Sequence, residues 1–230
     1  MIFRFEDEFA DLLDDYSPAL QKSYEKLKSE DLSLDNLDYS RLIANRIRAY
    51  YQAQEKANNF LGKKKAQSGS DFFVETIIFA LKLFVEVEGL ALEISSEKAL
   101  SPTRGAARPD ISLWRENSCV GIIECKTQLG YQRFSWLSQF EKREKELHKI
   151  FPDAKKFLLV MTTCNWHGFK KSEPRAGFDK NDPRVGKQFF CLFGQNSHGH
   201  DIWPRWMPED LSKDNFEQTF EQLLEKIRLL

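Results

Sequence analysis

The chain predicts an α/β fold: a central mixed β-sheet flanked by helices, with helical additions at the N- and C-terminal ends. Three observations predict it. Two short segments rich in apolar residues, Pro109 to Trp114 and Cys119 to Lys126, flank the charged turn Arg115-Glu116-Asn117-Ser118 and read as a hairpin. A charged amphipathic stretch, Phe134 to Ile150, then leads into another apolar run, Lys156 to Met161, the pattern of a crossover helix and a returning strand. Toward both ends, apolar residues recur at helical spacing.

Taken in order, Phe9, Leu12, Leu13 and Tyr16 share one face of a short acidic helix, which Pro18 is expected to end or to follow with a new start. Leu20, Tyr24 and Leu27 continue the spacing. After a turn-like stretch from Asp31 to Asp38, residues Leu42, Ile43, Ile47, Tyr50 and Tyr51 form a second amphipathic helix carrying Arg41, Arg46 and Arg48. Gly62 to Ser70, with Lys63, Lys64 and Lys65, reads as a polar loop whose charges form a solvated face. Ser70 or Asp71 is expected to cap a helix running to Glu86. Its apolar residues, among them Phe73, Ile77, Ala80 and Phe84, wrap so much of the circumference that it must be largely buried. Leu90 to Ile94 is expected to be a short strand, followed by a loop holding Pro102, Arg104, Gly105 and Arg108.

Within the crossover helix, Trp136, Leu137, Phe140, Leu147 and Ile150 should face inward and His148 should be solvated; Pro152 breaks the helix. A long connection, Asn165 to Gly186, precedes an expected edge strand, Gln188 to Phe193. Phe216, Phe220, Leu223, Leu224, Ile227 and Leu230 mark a final amphipathic helix. The organisation expected is a helical extension over 1–69 packed on the core, a core over 70–200, and a tail with its helix over 201–230.

At 230 residues and a net charge of −1, the chain suits one domain with extensions and is no general trap for polyanions, so any binding to one needs a local basic groove. No apolar run approaches a membrane span, and the N-terminus lacks a signal-peptide core, so a cytoplasmic protein with no membrane partner is expected. The four cysteines, Cys119, Cys125, Cys164 and Cys191, show no paired spacing and read as reduced thiols.

The chemistry is concentrated in the hairpin. Pro109-Asp110 is followed, fourteen positions after the Asp, by Glu124-Cys125-Lys126. Side chains alternate along a strand, so Glu124 and Lys126 share one face about 6.6 Å apart while Cys125 points to the other. The hairpin brings Asp110 toward Glu124. Buried unpaired charge is costly, and a cation between the acids would offset it.

This pattern resembles the PD-(D/E)XK nuclease superfamily, whose signature is a Pro-Asp, a spacer, then Asp or Glu, any residue, and Lys. The match lies at Pro109, Asp110, Glu124 and Lys126, with an apolar strand running into the Glu. An acid on the preceding helix is a frequent addition, and Glu75 stands in that place. A helix and another strand follow the motif, as they do in the family, so the resemblance covers roughly Ser70 to Thr163. It implies a restriction-endonuclease-like core and an Mg2+-dependent (or Mn2+-dependent) endonuclease that hydrolyses phosphodiester bonds in DNA, in restriction or genome defence. A homodimer would allow both strands to be cut.

On that reading Asp110 and Glu124 hold the metal, with the carbonyl of Ile123 or Cys125 as a further oxygen and Glu75 reaching a second metal or a metal-bound water. Lys126 takes an electrostatic and positioning role toward water or phosphate. Arg104, Arg108 and Arg133 are candidate phosphate contacts and Gln128 a candidate hydrogen-bonding group, while the aromatic loop from Asn165 to Lys171 could touch DNA or pack over the core. The alternative is a catalytically silent module of the same fold that binds nucleic acid or a protein partner. A purely interaction-driven helical protein is a further rival. A zinc site from Cys164, His167, Cys191, His198 and His200 is less favoured, because no CxxC accompanies them and buried thiols are ordinary at strand-like positions.

Overall fold

The structure is a computed structural model that describes residues 10–30, 37–63, 69–128, 135–162, 182–192 and 219–230. Among these residues lie helices α1 (Ala10–Ser29), α2 (Tyr39–Leu61), α3 (Ser70–Val87), α4 (Trp136–Ile150) and α5 (Thr219–Arg228). The strands are β1 (Glu93–Ser96), β2 (Ile111–Arg115), β3 (Ser118–Gln128), β4 (Lys155–Thr162) and β5 (Phe189–Cys191). They form one mixed sheet in the order β1-β2-β3-β4-β5, antiparallel through the first three strands and parallel from β3 onward. The expected mixed α/β sandwich is therefore present, with the helix, strand, hairpin, helix and strand in the anticipated order.

Strand alternation sets the layers. Ile123 and Cys125 of β3 and Phe157, Leu159 and Met161 of β4 enter a large apolar cluster with Ile43 of α2, Phe84 of α3 and Leu223 of α5. The opposite face packs against α4 through Phe140 and Leu147, which belong to two smaller clusters. β3 and β4 are buried on both faces, which explains why each reads as a nearly unbroken apolar run. α3 carries Phe73, Ile77, Ala80, Leu81 and Phe84 into the large cluster, as its broad apolar surface requires.

Several local expectations are corrected. Pro18 does not end the first helix but lies inside α1. The ring removes one backbone donor, and residues 14–18 are exposed, so the bereaved carbonyl is left to solvent and the remaining helix tolerates the loss. Neither Ser70 nor Asp71 caps α3; Gly69 holds that place without a side-chain hydrogen bond. The strand expected over Leu90 to Ile94 begins later, at Glu93. Gly89 (φ +64°) closes α3 with its own N–H on the Glu86 carbonyl and the Leu90 N–H on the Val85 carbonyl, a Schellman closure that consumes Leu90. Ile150 is 46% exposed instead of facing inward, and it is the next residue, Phe151, that packs edge-on against Trp114. His148 is exposed, yet its Nε2 lies 2.9 Å from the Ala154 carbonyl.

No helix among the described residues is long and apolar enough to cross a membrane. Cys119, Cys125 and Cys191 are buried and joined in no disulfide. Cys164, His167, His198, His200, Arg133, Lys64, Lys65, the aromatic loop and the Gln128 side chain lie outside the described residues, and with them the test of a zinc site.

Candidate metal and phosphodiester site

The ladder between β2 and β3 runs out at the pair Ile111 and Ile123, whereas β3 continues along β4 to the pair Gln128 and Thr162. Glu124, Cys125 and Lys126 therefore lie where β3 has lost one neighbour. Asp110, one residue before β2, fills that gap: its Oδ2 accepts a hydrogen bond from the Cys125 backbone N–H at 2.7 Å. The same oxygen accepts from Lys126 Nζ at 3.2 Å, and that ammonium stands 3.8 Å from Glu124 Oε2. The hairpin thus brings Asp110, Glu124 and Lys126 together.

The loop that delivers Asp110 is lashed to the sheet. Glu97, itself at φ +50°, donates its N–H to the Pro109 carbonyl, and Ser96 Oγ donates to the Asp110 carbonyl. Arg108 Nη1 donates to the Glu97 carbonyl at 2.8 Å, so one arm of that guanidinium fastens the loop. Arg104 is exposed beside Gly105, further out on the same loop.

Glu75 shares an open cleft of about 420 Å³ with Asp110, Lys126, Ser96 and Thr127. Its carboxylate is engaged by two other helices: Tyr16 of α1 donates its hydroxyl to Oε1, and Arg46 of α2 lies 3.5 Å away while its guanidinium covers the Phe79 ring. Burial, and then the Glu75 hydrogen bond, push the Tyr16 hydroxyl up to about 12, so it remains a donor throughout the physiological range.

Two basic residues that the motif does not announce complete the surroundings of Glu124. Arg143 of α4 donates from Nη1 to Glu124 Oε2 at 2.6 Å. Lys156 of β4 is fully buried; its ammonium donates to the Phe140 carbonyl at 3.0 Å and lies 4.3 Å from the centre of the Phe140 ring. Burial pushes it down to about 8, with the charge of Glu124 opposing the shift. Glu124, Lys126, Arg143 and Lys156 line a cavity of about 30 Å³, the room of one water. Arg143 could have been found by its spacing, three residues after Phe140 and four before Leu147 on the stripe that faces the sheet. Lys156 carries no such signal, since a lysine at the start of a strand is ordinarily solvated.

The donor chemistry fits a hard divalent cation. Lys126 Nζ already places a positive charge within 3.8 Å of both an Asp110 and a Glu124 oxygen, and Mg2+ binds through one or two carboxylates with water and phosphate completing its shell. Among the described residues no group of three or more His, Cys, Asp or Glu side chains is gathered to hold a metal, so Glu75 stands apart from this pair. Burial, chiefly, holds the Cys125 thiol well above its ordinary range and keeps it neutral on the opposite face of β3.

No family model matches the chain, and neither does any curated protein. Among solved structures, one described as the native BbvCI A2B2 tetramer at low resolution is similar over 99% of this chain and 96% of that chain, with 12% identity and a TM-score of 0.33. A superposition that loose carries no weight here; the architecture rests on the strand order and register of this chain.

Proposed function

We propose that the chain is a divalent-metal-dependent endonuclease acting on phosphodiester bonds in DNA, with genome defence as the setting that its sequence resemblance implies. The observation that supports this reading is the convergence of Asp110 and Glu124 on the Lys126 ammonium at the open end of the β2–β3 hairpin. Asp110 and Glu124 would hold Mg2+ or Mn2+, which when bound polarises a phosphate and activates water. Asp110 is pre-aimed by the Cys125 N–H, and Glu124 is held on a strand buried on both faces. Lys126, a third exposed, presents its ammonium to the cleft where it can neutralise phosphate charge or orient a water. Glu75, Arg104 and Arg108 would act further out, on a second cation or on backbone phosphates, and Arg133 and Gln128 keep the roles proposed from sequence.

One observation favours the silent alternative: Lys126 and Arg143 already satisfy both carboxylates without a metal. Cleavage of supercoiled DNA in Mg2+ or Mn2+ decides between the two. Asp110→Asn keeps an acceptor for the Cys125 N–H but removes the charge, and Lys126→Gln removes the ammonium. Each should reduce nicking by about a hundredfold or more, the size of effect seen when a preorganised electrostatic group is removed. Native protein that binds the duplex, cuts nothing and shows no calorimetric binding of Mn2+ would establish the silent module instead.

A further inference from the structure

The carboxylates around Glu124 already have cationic partners before any divalent ion enters, with the Lys156 ammonium lining the same cavity. Asp110 and Glu124 face Lys126 and Arg143, and each of these cations lies within 3.8 Å of a carboxylate oxygen. Arg143 is the tighter partner of Glu124, at 2.6 Å against 3.8 Å for Lys126. The three side chains differ in freedom: Glu124 is 8% exposed, Lys126 33% and Arg143 53%. Glu124 projects from a strand paired to β4 and has little room to turn, whereas Arg143 is a long side chain with half its surface in solvent. Arg143 is therefore the member of the pair that can leave. Lys156 cannot replace it, because its ammonium is committed to the Phe140 carbonyl and ring.

We propose that Arg143 is the resident counter-ion of Glu124, that a divalent ion taking this carboxylate displaces it, and that the freed guanidinium then positions a phosphate of the nucleic-acid backbone. The proposal rests on the nuclease reading above. A divalent ion on the Glu124 carboxylate and a guanidinium 2.6 Å from one of its oxygens repel each other, which favours departure of the more mobile group, Arg143. The site becomes strongly positive once the ion is in. A guanidinium driven off Glu124 then finds its best partner in a phosphate, which it can grip with two parallel hydrogen bonds. Metal and polyanion binding are thereby coupled: without DNA the ion must compete with Arg143, and with DNA that competition is relieved.

The test is calorimetric titration of Mn2+ into native protein, Arg143→Gln, Arg143→Lys and Asp110→Asn without DNA. Affinity for a fluorescent duplex is then measured in Ca2+ and in EDTA. Arg143→Gln should bind Mn2+ about two- to fivefold more tightly than native, the range expected for release of a half-exposed ion pair. Its gain in duplex affinity on adding Ca2+ should be smaller than that of the native protein. Arg143→Lys should fall between. A merely structural arginine predicts the reverse, since loosening Glu124 would weaken Mn2+ binding. Equal or weaker Mn2+ binding by folded Arg143→Gln overturns the proposal. If that variant does not fold, Arg143→Lys carries the same comparison, with tightening in support and none against. Asp110→Asn keeps the two readings apart. Mn2+ binding that native protein lacks, or that Asp110→Asn fully retains, sinks the metal site and the proposal together. Binding that needs Asp110 but does not tighten without Arg143 sinks the proposal alone.

Discussion

On the face of the sheet covered by α2, α3 and α5, Ile111, Leu113, Ile123, Phe157 and Leu159 join Ile43, Ile77, Phe84 and Leu223 in one continuous apolar cluster. On the face covered by α4, Ile122 and Ala154 belong to one small cluster and Leu158 and Val160 to another, and along β4 Lys156 lies between Ala154 and Leu158. Glu124 and Lys126 project on this second face, next to Ile123 and Cys125 on the first. The strand is the same and only the parity of the residue differs. The first face holds the fold together by removing apolar area from water. The second gives up part of that burial to keep charged groups at fixed places, each with an ionic or hydrogen-bonding partner.

The sharpest way to break this comparison is to empty the apolar face. Phe84 is fully buried and meets Tyr39 edge-on at 6.0 Å. Phe84→Ala should cost about 3–5 kcal/mol in denaturant unfolding, the usual range for a large aromatic removed from a packed core. A loss below about 1 kcal/mol would mean that α3 is not seated as described.

The charged face makes a prediction of opposite character, in which stability depends on pH. The Lys156 ammonium falls from its ordinary 10.5 to about 8 in the fold. A group whose folded pKa is depressed lends stability above its unfolded pKa, and that contribution is lost as the pH falls through the folded value. Native protein should therefore gain on Lys156→Met as the pH rises from 8 to 10.5, by on the order of 3 kcal/mol across the window. Paired urea titrations at several pH values measure that difference directly and cancel the groups common to both. A flat difference would show that Lys156 is better solvated than its position implies.

The smallest expected effect on stability falls at Glu124, one of the two carboxylates proposed to hold the metal. Glu124→Gln keeps the shape of the side chain, and its partner Arg143 is 53% exposed, so unfolding should shift by less than about 1 kcal/mol in either direction. Calorimetric Mn2+ binding should nevertheless disappear. A large loss of stability with Mn2+ binding retained would assign Glu124 to the scaffold.

Much of this division is already legible along the chain. The runs at Cys119 to Lys126 and Phe157 to Met161 announce strands buried on both faces. An acid and a lysine two apart at the end of the first run stand out because such positions are otherwise apolar. Arg143 is harder to see, since it is one charge among many on α4 and only its spacing from Phe140 and Leu147 marks it. Tyr16 and Arg46, which hold Glu75, come from helices 59 and 29 residues earlier, and no local pattern links them to it. Pro18 misleads for a related reason: its local effect is to break a helix, but an exposed helix packed through Tyr24 on Phe79 can carry the break.

By itself the sequence determined the alternation that puts Glu124 and Lys126 on one face of β3, the order of helices and strands, and the breadth of the apolar surface on α3. These follow from the two-residue period of a strand and the 3.6-residue period of a helix, which neighbouring residues impose on one another. Only the tertiary structure decided that the β2 ladder stops at Ile111 so that Asp110 meets the Cys125 N–H, that Arg143 and not Lys156 pairs with Glu124, and that Glu75 answers to α1 and α2. Those contacts depend on how far each helix is shifted and turned against the sheet. That placement is set by the packing of many apolar side chains at once, so no short stretch of the chain contains it.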